Sequence, residues 1–154
     1  KNKVGALKDI GIHSINLFEY FINKDFNVVS NSLQNNEYFK DDNGFLILKS
    51  NSVIANIHYS FVRWENRFFL EISGSKGSIV VQSLPKWREQ QVILSKRVYP
   101  SGVPIKKVWK FKKENSWLNE WKYFKRNLSK KPFVNQNEGY ITMNNVKKIL
   151  NKKK

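Results

Sequence analysis

The chain has 154 residues, enough for one domain, and its 40% hydrophobic and 14% aromatic content fills a core, which excludes wholesale disorder. With no cysteine and two histidines, it excludes a disulfide framework, a thiolate nucleophile or metal site, and the usual all-protein zinc site. The formal charge of +16 points to a polyanion, but only five of the 28 basic residues are Arg and 19 residues are Asn. Excess Lys together with excess Asn marks A/T-biased coding, and Arg, the side chain suited to bidentate phosphate and base contacts, is scarce.

No window approaches the ~20 consecutive apolar residues that span a bilayer. Lys1-Asn2-Lys3 is followed by no apolar signal region. The expected compartment is therefore the cytoplasm, with no membrane partner. The chain does not begin with Met and opens almost directly on an Asp/His motif, which suggests a fragment of a longer protein.

Residues 9–23 carry the first helical pattern. Gly11, Ile15, Phe18 and Ile22 recur at helical spacing, as do Ile10, Leu17 and Phe21, which predicts a largely buried helix. Asp9 stands where its carboxylate would cap the first turn. From Phe26 to Val98 the period changes to two. Val28–Glu37 reads as a partly polar strand, Asp41-Asp42-Asn43-Gly44 as a turn, Phe45–Lys49 as a short strand and Asn51-Ser52 as a second turn. Val53, Ala55, Ile57, Tyr59 and Phe61 alternate with Asn56, His58 and Ser60, as in a half-buried strand. After a turn at Glu65-Asn66, Phe68, Leu70 and Ile72 alternate with Phe69, Glu71 and Ser73. Gly74-Ser75-Lys76-Gly77 closes a hairpin into Ser78–Ser83. Gln91–Tyr99 and Ile105–Phe111 are further strands, separated by Pro100-Ser101-Gly102.

The helical period returns at Ser116, with Trp117, Trp121, Phe124 and Leu128 on one stripe, Ser116 or Asn115 as cap, and Lys131-Pro132 as the stop. Asn137-Glu138-Gly139 leads into a last helix with Met143, Val146, Ile149 and Leu150 on one face. One helix, a run of meandering strands and two helices predict an α+β fold, with a mostly antiparallel open-faced sheet and helices packed on one side. There is no β-α-β repetition, no G-x-G-x-x-G and no G-x-x-x-x-G-K, so the chain carries no Rossmann unit or phosphate loop of its own. Gly74-x-x-Gly77 has no helix behind it and reads as a turn.

The chemistry concentrates in Gly5-Ala6-Leu7-Lys8-Asp9-Ile10-Gly11-Ile12-His13-Ser14-Ile15-Asn16. Asp9 and His13 are four apart and project from neighbouring positions on one helix face. A carboxylate beside an imidazole fixes its tautomer and suits acid–base work near neutral pH. Gly11 leaves room between them for a ligand or another backbone. The alternative at each position is structural: a capping Asp9 and an ordinary half-buried His13.

The stretch resembles the motif of the glucose–fructose oxidoreductase/inositol dehydrogenase/MocA family, written G-G-x-L-x-D-x-G-x-H-x-x-D, with Gly5, Leu7, Asp9, Gly11 and His13 in register. Phe69–Ile79 is similar to that family's strand–G-x-x-G–strand hairpin. Trp121–Phe124, Lys131-Pro132 and the final helix are similar to its closing pattern. In order, the three cover essentially the whole chain. Two positions depart: the last Asp of the motif is Asn16, which keeps an acceptor and loses the charge, and the first of the paired glycines is Val4. The family's E-K-P lysine is not in this chain.

The resemblance implies that residues 1–154 form the C-terminal substrate-binding and oligomerisation domain of an oxidoreductase that uses NAD or NADP on a sugar, an inositol or a nucleotide-linked sugar. It implies an N-terminal Rossmann domain as the partner that binds the cofactor, so the fragment alone is expected to be inactive. In that family hydride passes between a carbinol carbon and the nicotinamide. On that pattern His13 takes or gives the hydroxyl proton, Asp9 orients His13 or binds a sugar hydroxyl, and Asn16 joins them in holding substrate. The family also associates through the open sheet face, which implies a homo-oligomer. Phe61, Trp64, Phe68, Phe69 and Trp87 are candidates for that face, with core packing as the alternative for each. His58 reads as a structural or surface histidine, and nothing in the sequence selects Tyr59 or Arg63 as substrate contacts. Two other functions compete: a basic module for nucleic acid or another polyanion, and a non-catalytic scaffold homologue.

Overall fold

Alternating and helical periods translate into strands and helices in the computed structural model, which describes residues 4–38, 40–130 and 136–152. A π-helical turn, Leu7–Gly11, runs into α1, Ile12–Phe21. Three strands follow: β1, Asn27–Gln34, β2, Asn43–Ser50, and β3, Val53–Ser60. Four more are β4, Phe69–Gly74, β5, Gly77–Gln82, β6, Gln90–Val98, and β7, Gly102–Phe111. Two helices close the chain: α2, Ser116–Asn127, and α3, Gln136–Asn151. Every strand pairs antiparallel with its sequence neighbour within two sheets, β1-β2-β3 and β4-β5-β6-β7. The α+β expectation holds. The strands divide into two sheets because residues 61–68, between β3 and β4, form no tight turn that would pair them.

The chain forms two compact units, residues 1–63 with 129–154, and residues 64–128. In the first, β2 alternates strictly. Gly44, Leu46, Leu48 and Ser50 are buried, while Phe45 and Lys49 face outward. Leu46 and Leu48 meet Leu7 and Ile15 from the first helical segment, and Val146 and Ile149 from α3, all fully buried in one cluster. Each such burial stabilises the fold by ~1.5–3 kcal/mol. The helices thus cover one face of β1-β2-β3 and leave the other open.

The second unit is a meander. Its register sets Leu70, Val81, Val92 and Trp109 across one face of four strands. On that face Ile79, Val92, Leu94, Trp109 and Phe111 line an open apolar groove. Phe69 pairs with Gln82 and points to the opposite face. Of the other apolar candidates, Trp64 is fully exposed, Trp87 is exposed, and Phe61 packs against the core of the first unit, edge-on to Tyr38. Strand β7 is an edge strand exposed along its whole length, and Lys106, Lys107 and Lys110 on it discourage pairing with another chain.

Three local expectations are corrected and a fourth is refined. Asp9 does not cap the first helix. Backbone N–H groups of Ala6 and Leu7 already donate to Asp41, to its carbonyl at 2.6 Å and its carboxylate Oδ2 at 2.7 Å, so the helix starts before Asp9 is reached. Asp41 to Gly44 is not a turn with glycine at positive φ. Asn43 and Gly44 open β2, and Asp42 is buried, accepting from the N–H groups of Asn36 (2.8 Å), Glu37 (2.6 Å) and Tyr38 (3.2 Å). Helix α2 has Asn115 at its N-cap position, as expected, but the side-chain bond there comes from Glu114, whose Oε1 accepts from Ser116 N at 2.6 Å. Gly139 lies inside α3, which begins at Gln136. The expected stop at Lys131-Pro132 lies outside the described residues.

A remote cap is testable by substitution. Asp41→Ala should lower stability by ~0.5–2 kcal/mol, the range for a lost N-cap, in urea denaturation of the chain. Asp9→Ala should leave it within about 0.5 kcal/mol, as for a surface position. The reverse order would return the cap to Asp9.

Candidate functional site

Leu7, Gly11, Ile15 and Phe18 are buried along one side of the first helical segment. Helical periodicity then turns Asp9, His13 and Asn16, at i, i+4 and i+7, to the other side, and all three are exposed. Among the described residues neither the Asp9 carboxylate nor the His13 imidazole has a hydrogen-bond or ion-pair partner, and the two do not bond each other. Asn16 is held: its Nδ2 donates to Thr142 Oγ1 on α3 at 3.3 Å. The three predicted residues therefore share one solvent-facing stripe, with two unengaged polar groups and one anchored amide.

Two glycines of the motif are explained from beneath. A Cβ on Gly5 would stand 1.9 Å from Asp41 Oδ1, so Gly5 admits the aspartate that caps the helix. A Cβ on Gly11 would stand 3.1 Å from the Tyr59 ring, so Gly11 makes room for that buried ring rather than for a ligand. Tyr59 itself lies in the core, 4% exposed, and its hydroxyl has no hydrogen-bond partner among the described residues. Burial first, and the Asp41 charge second, push its pKa well above the ordinary phenol range. Beside it, burial pushes the Asp42 carboxyl up, but the backbone N–H groups of Glu37, Asn36 and Tyr38 and the Asn36 amide outweigh that and hold it below the usual aspartate value.

Sequence reasoning missed a second polar group. Glu19, Thr142 and Asn145 are 6%, 3% and 4% exposed. Thr142 Oγ1 bonds Glu19 Oε2, and Asn145 Nδ2 donates to Glu19 Oε1 at 2.8 Å and to the Lys24 carbonyl at 3.2 Å. Only the helical phase of Glu19, one turn beyond Ile15 on the apolar side, signalled its burial. Nothing local signalled its partners, 123 and 126 residues away.

His58 stands apart from the stripe, on the outer face of β3, because side chains alternate and its neighbour Tyr59 points into the core. Its ring stacks on Phe45 at 4.0 Å, Nε2 meets Asn43 Oδ1 at 2.9 Å, and Nδ1 accepts from Arg63 Nη2 at 2.6 Å. Arg63 donates only, so Nδ1 carries the lone pair and Nε2 the proton. His58 and Arg63 serve each other on the surface, as the structural reading of His58 expected. Among the described residues no group of three or more His, Asp or Glu side chains is placed to hold a metal. No described strand pair is parallel, so the described residues offer no β-α-β crevice for a dinucleotide and do not fit that cofactor by themselves. No helix among the described residues is long and apolar enough to cross a membrane.

An α+β domain of two antiparallel sheets, with an exposed Asp/His/Asn stripe and no nucleotide crevice among its described residues, is the class of protein these features define. Residues 1–142 match the oxidoreductase family C-terminal alpha/beta domain, that of glucose–fructose oxidoreductase, inositol dehydrogenase and MocA, and the chain belongs to that family. No curated protein matches the chain. Among solved structures, KijD10, a 3-ketoreductase from Actinomadura kijaniata in complex with TDP-benzene and NADP in an open conformation, is similar with a TM-score of 0.64 and 16% identity. The match covers 80% of this chain and 39% of that one, so the chain spans well under half of that enzyme, and the likeness is one of fold.

Burial of His58 first, then the Arg63 charge, hold its pKa below the ordinary value. In an NMR titration its ring should stay neutral below the usual ~6.5, and Arg63→Ala should raise the midpoint. As pH falls between the ordinary and the lowered value, the unfolded chain gains a proton that the folded chain refuses, so stability falls across that window.

Proposed function

We propose that this chain is the catalytic and substrate-binding domain of a cytoplasmic NAD(P)-dependent oxidoreductase acting on an alcohol of a sugar, an inositol or a nucleotide-linked sugar. One observation carries the reading. In a chain of this family, the Asp9 carboxylate and the His13 imidazole stand on one exposed stripe with no partner among the described residues. Exposed and unpaired within the described residues, these two groups are available to a ligand.

Oxidising an alcohol requires removal of its hydroxyl proton. Imidazole is the side chain that takes and returns a proton near neutral pH, so His13 is assigned that transfer. Asp9, on the same stripe, orients the ring once substrate is present or accepts from a second hydroxyl. Asn16 completes the grip. The nicotinamide is bound by a Rossmann domain outside these residues, which would align it with the substrate across the cleft. Alone, this domain should bind substrate poorly and turn over nothing.

The apolar groove of the four-stranded sheet is the proposed contact with a second copy, in keeping with a match to an enzyme domain rather than to a polyanion-binding module. Trp109, at its wall, is the test residue. Trp109→Glu should shift the sedimentation coefficient of the full-length protein to that of a smaller species, whereas a wild-type protein that sediments as a monomer would refute the contact.

The acid–base assignment is tested by His13→Ala in the full-length protein, with kcat expected to fall ~10²–10⁴-fold. A loss smaller than about tenfold would remove His13 from proton transfer.

A further inference from the structure

Asn16 is the position where this chain departs from the charged residue of its family's motif, and the polar group buried behind it accounts for the departure. Thr142 has one hydroxyl proton. Two acceptors compete for it, the Glu19 carboxylate and the Glu138 backbone carbonyl at 3.1 Å, and a backbone carbonyl cannot give a proton back. Whichever of the two takes it, the proton points into the protein. Toward Asn16 the hydroxyl offers only a lone pair. The Asn16 amide must therefore present its nitrogen to Thr142, as the 3.3 Å contact from Nδ2 shows.

The rest of the group is equally committed. Both amide protons of Asn145 are used, on Glu19 Oε1 and the Lys24 carbonyl. Glu19 is buried between α1 and α3 with no cation among its hydrogen-bond partners in the described residues, so these donors are what it has. A carboxylate at position 16 would set an acceptor against a hydroxyl whose proton is already spent. An amide there fits, and its orientation is fixed. The carbonyl Oδ1 on the other arm of the planar group has no hydrogen-bond partner among the described residues and belongs to the exposed stripe beside His13.

We propose that Glu19 and Thr142 are positioning residues that lock the Asn16 amide with Oδ1 toward the ligand, making position 16 an acceptor that selects a hydroxyl, a donor, next to the group His13 serves. The idea rests on the substrate-site reading above, but its first test does not need turnover. The full-length protein, 15N-labelled at asparagine, should show an Asn16 side-chain NH2 pair whose hydrogen exchange is at least about tenfold slower than that of a free amide, a factor worth ~1.4 kcal/mol. Thr142→Val should bring it to the free rate and Thr142→Ser should restore it. Slow exchange that persists in Thr142→Val overturns the lock, as does fast exchange in the wild type.

The second test uses myo-inositol, D-glucose and a TDP-linked hexose as substrates, with NAD and NADP. Thr142→Val should raise KM about tenfold, the same ~1.4 kcal/mol, with kcat within a factor of about two, while Thr142→Ser should keep wild-type KM. Asn16→Asp should impair binding similarly. Adding Glu19→Gln should recover it, because an amide in place of the Glu19 carboxylate can donate to Thr142, leaving only the neutral Glu138 carbonyl to compete for the hydroxyl proton with the stronger acceptor, the new carboxylate at position 16. A KM unmoved by Thr142→Val on a substrate that turns over overturns the selective role. Turnover of none of the three would count against the substrate class, while the exchange rates still decide the lock.

Discussion

The first helical segment rests on one acceptor, Asp41. Its carbonyl takes the N–H of Ala6 and its carboxylate takes the N–H of Leu7, so the start of the helix is fastened to the residue that enters the three-stranded sheet. A single such cap is worth only ~1 kcal/mol. Its structural reach is larger. It fixes where the helix begins, hence which residues face the sheet, hence that Leu7 and Ile15 are buried and that Asp9, His13 and Asn16 are not. Asp42 repeats the device on the other side of the backbone. Its carboxylate gathers residues 36–38, its N–H donates to Gln34, and its carbonyl receives Phe61 N–H. Two adjacent aspartates tie the helix start, the end of β1 and the exit of β3 together.

The order and nature of the elements were legible because burial in this chain follows period. Leu46 and Leu48 on β2, and Ile15 and Phe18 on α1, lie where alternation and helical phase put them. What escaped was everything set by distant acceptors. Asp41-Asp42-Asn43-Gly44 has turn composition, yet both aspartates are spent on N–H groups elsewhere and the last two residues pair as strand. The same long reach defeated the cap assigned to Asp9 and the room assigned to Gly11, which Tyr59 fills from across the sheet. The stripe of Asp9, His13 and Asn16 was legible from spacing. The group that governs Asn16 was not, since Thr142 lies 126 residues away.

The contrast between the two kinds of polar side chain is what gives the stripe its functional meaning. Glu19, Thr142, Asn145 and Asp42 are buried and bonded, as most interior polar groups are. Asp9 and His13 are neither. His58, the other histidine, is fully engaged with Asn43 and Arg63, and the difference between the two imidazoles is one of partners rather than of residue type. In the proposed function, the face that leaves an acid and an imidazole unengaged is the one that would meet substrate.

The π-helical turn at Leu7–Gly11 bears on how that face was laid out. A π turn holds one residue more than an α turn, and the surplus sits between Gly5 and His13. Removing one residue there would let the segment wind as a regular α-helix with the residues on either side still in phase, because the π turn takes up its extra residue within one turn. The motif's spacing is therefore a statement of winding: it counts residues along a path one residue longer than regular winding needs, and a one-residue deletion within that turn should disturb the Asp9/His13 face less than the same deletion inside α1, where it would turn the helix by about 100°.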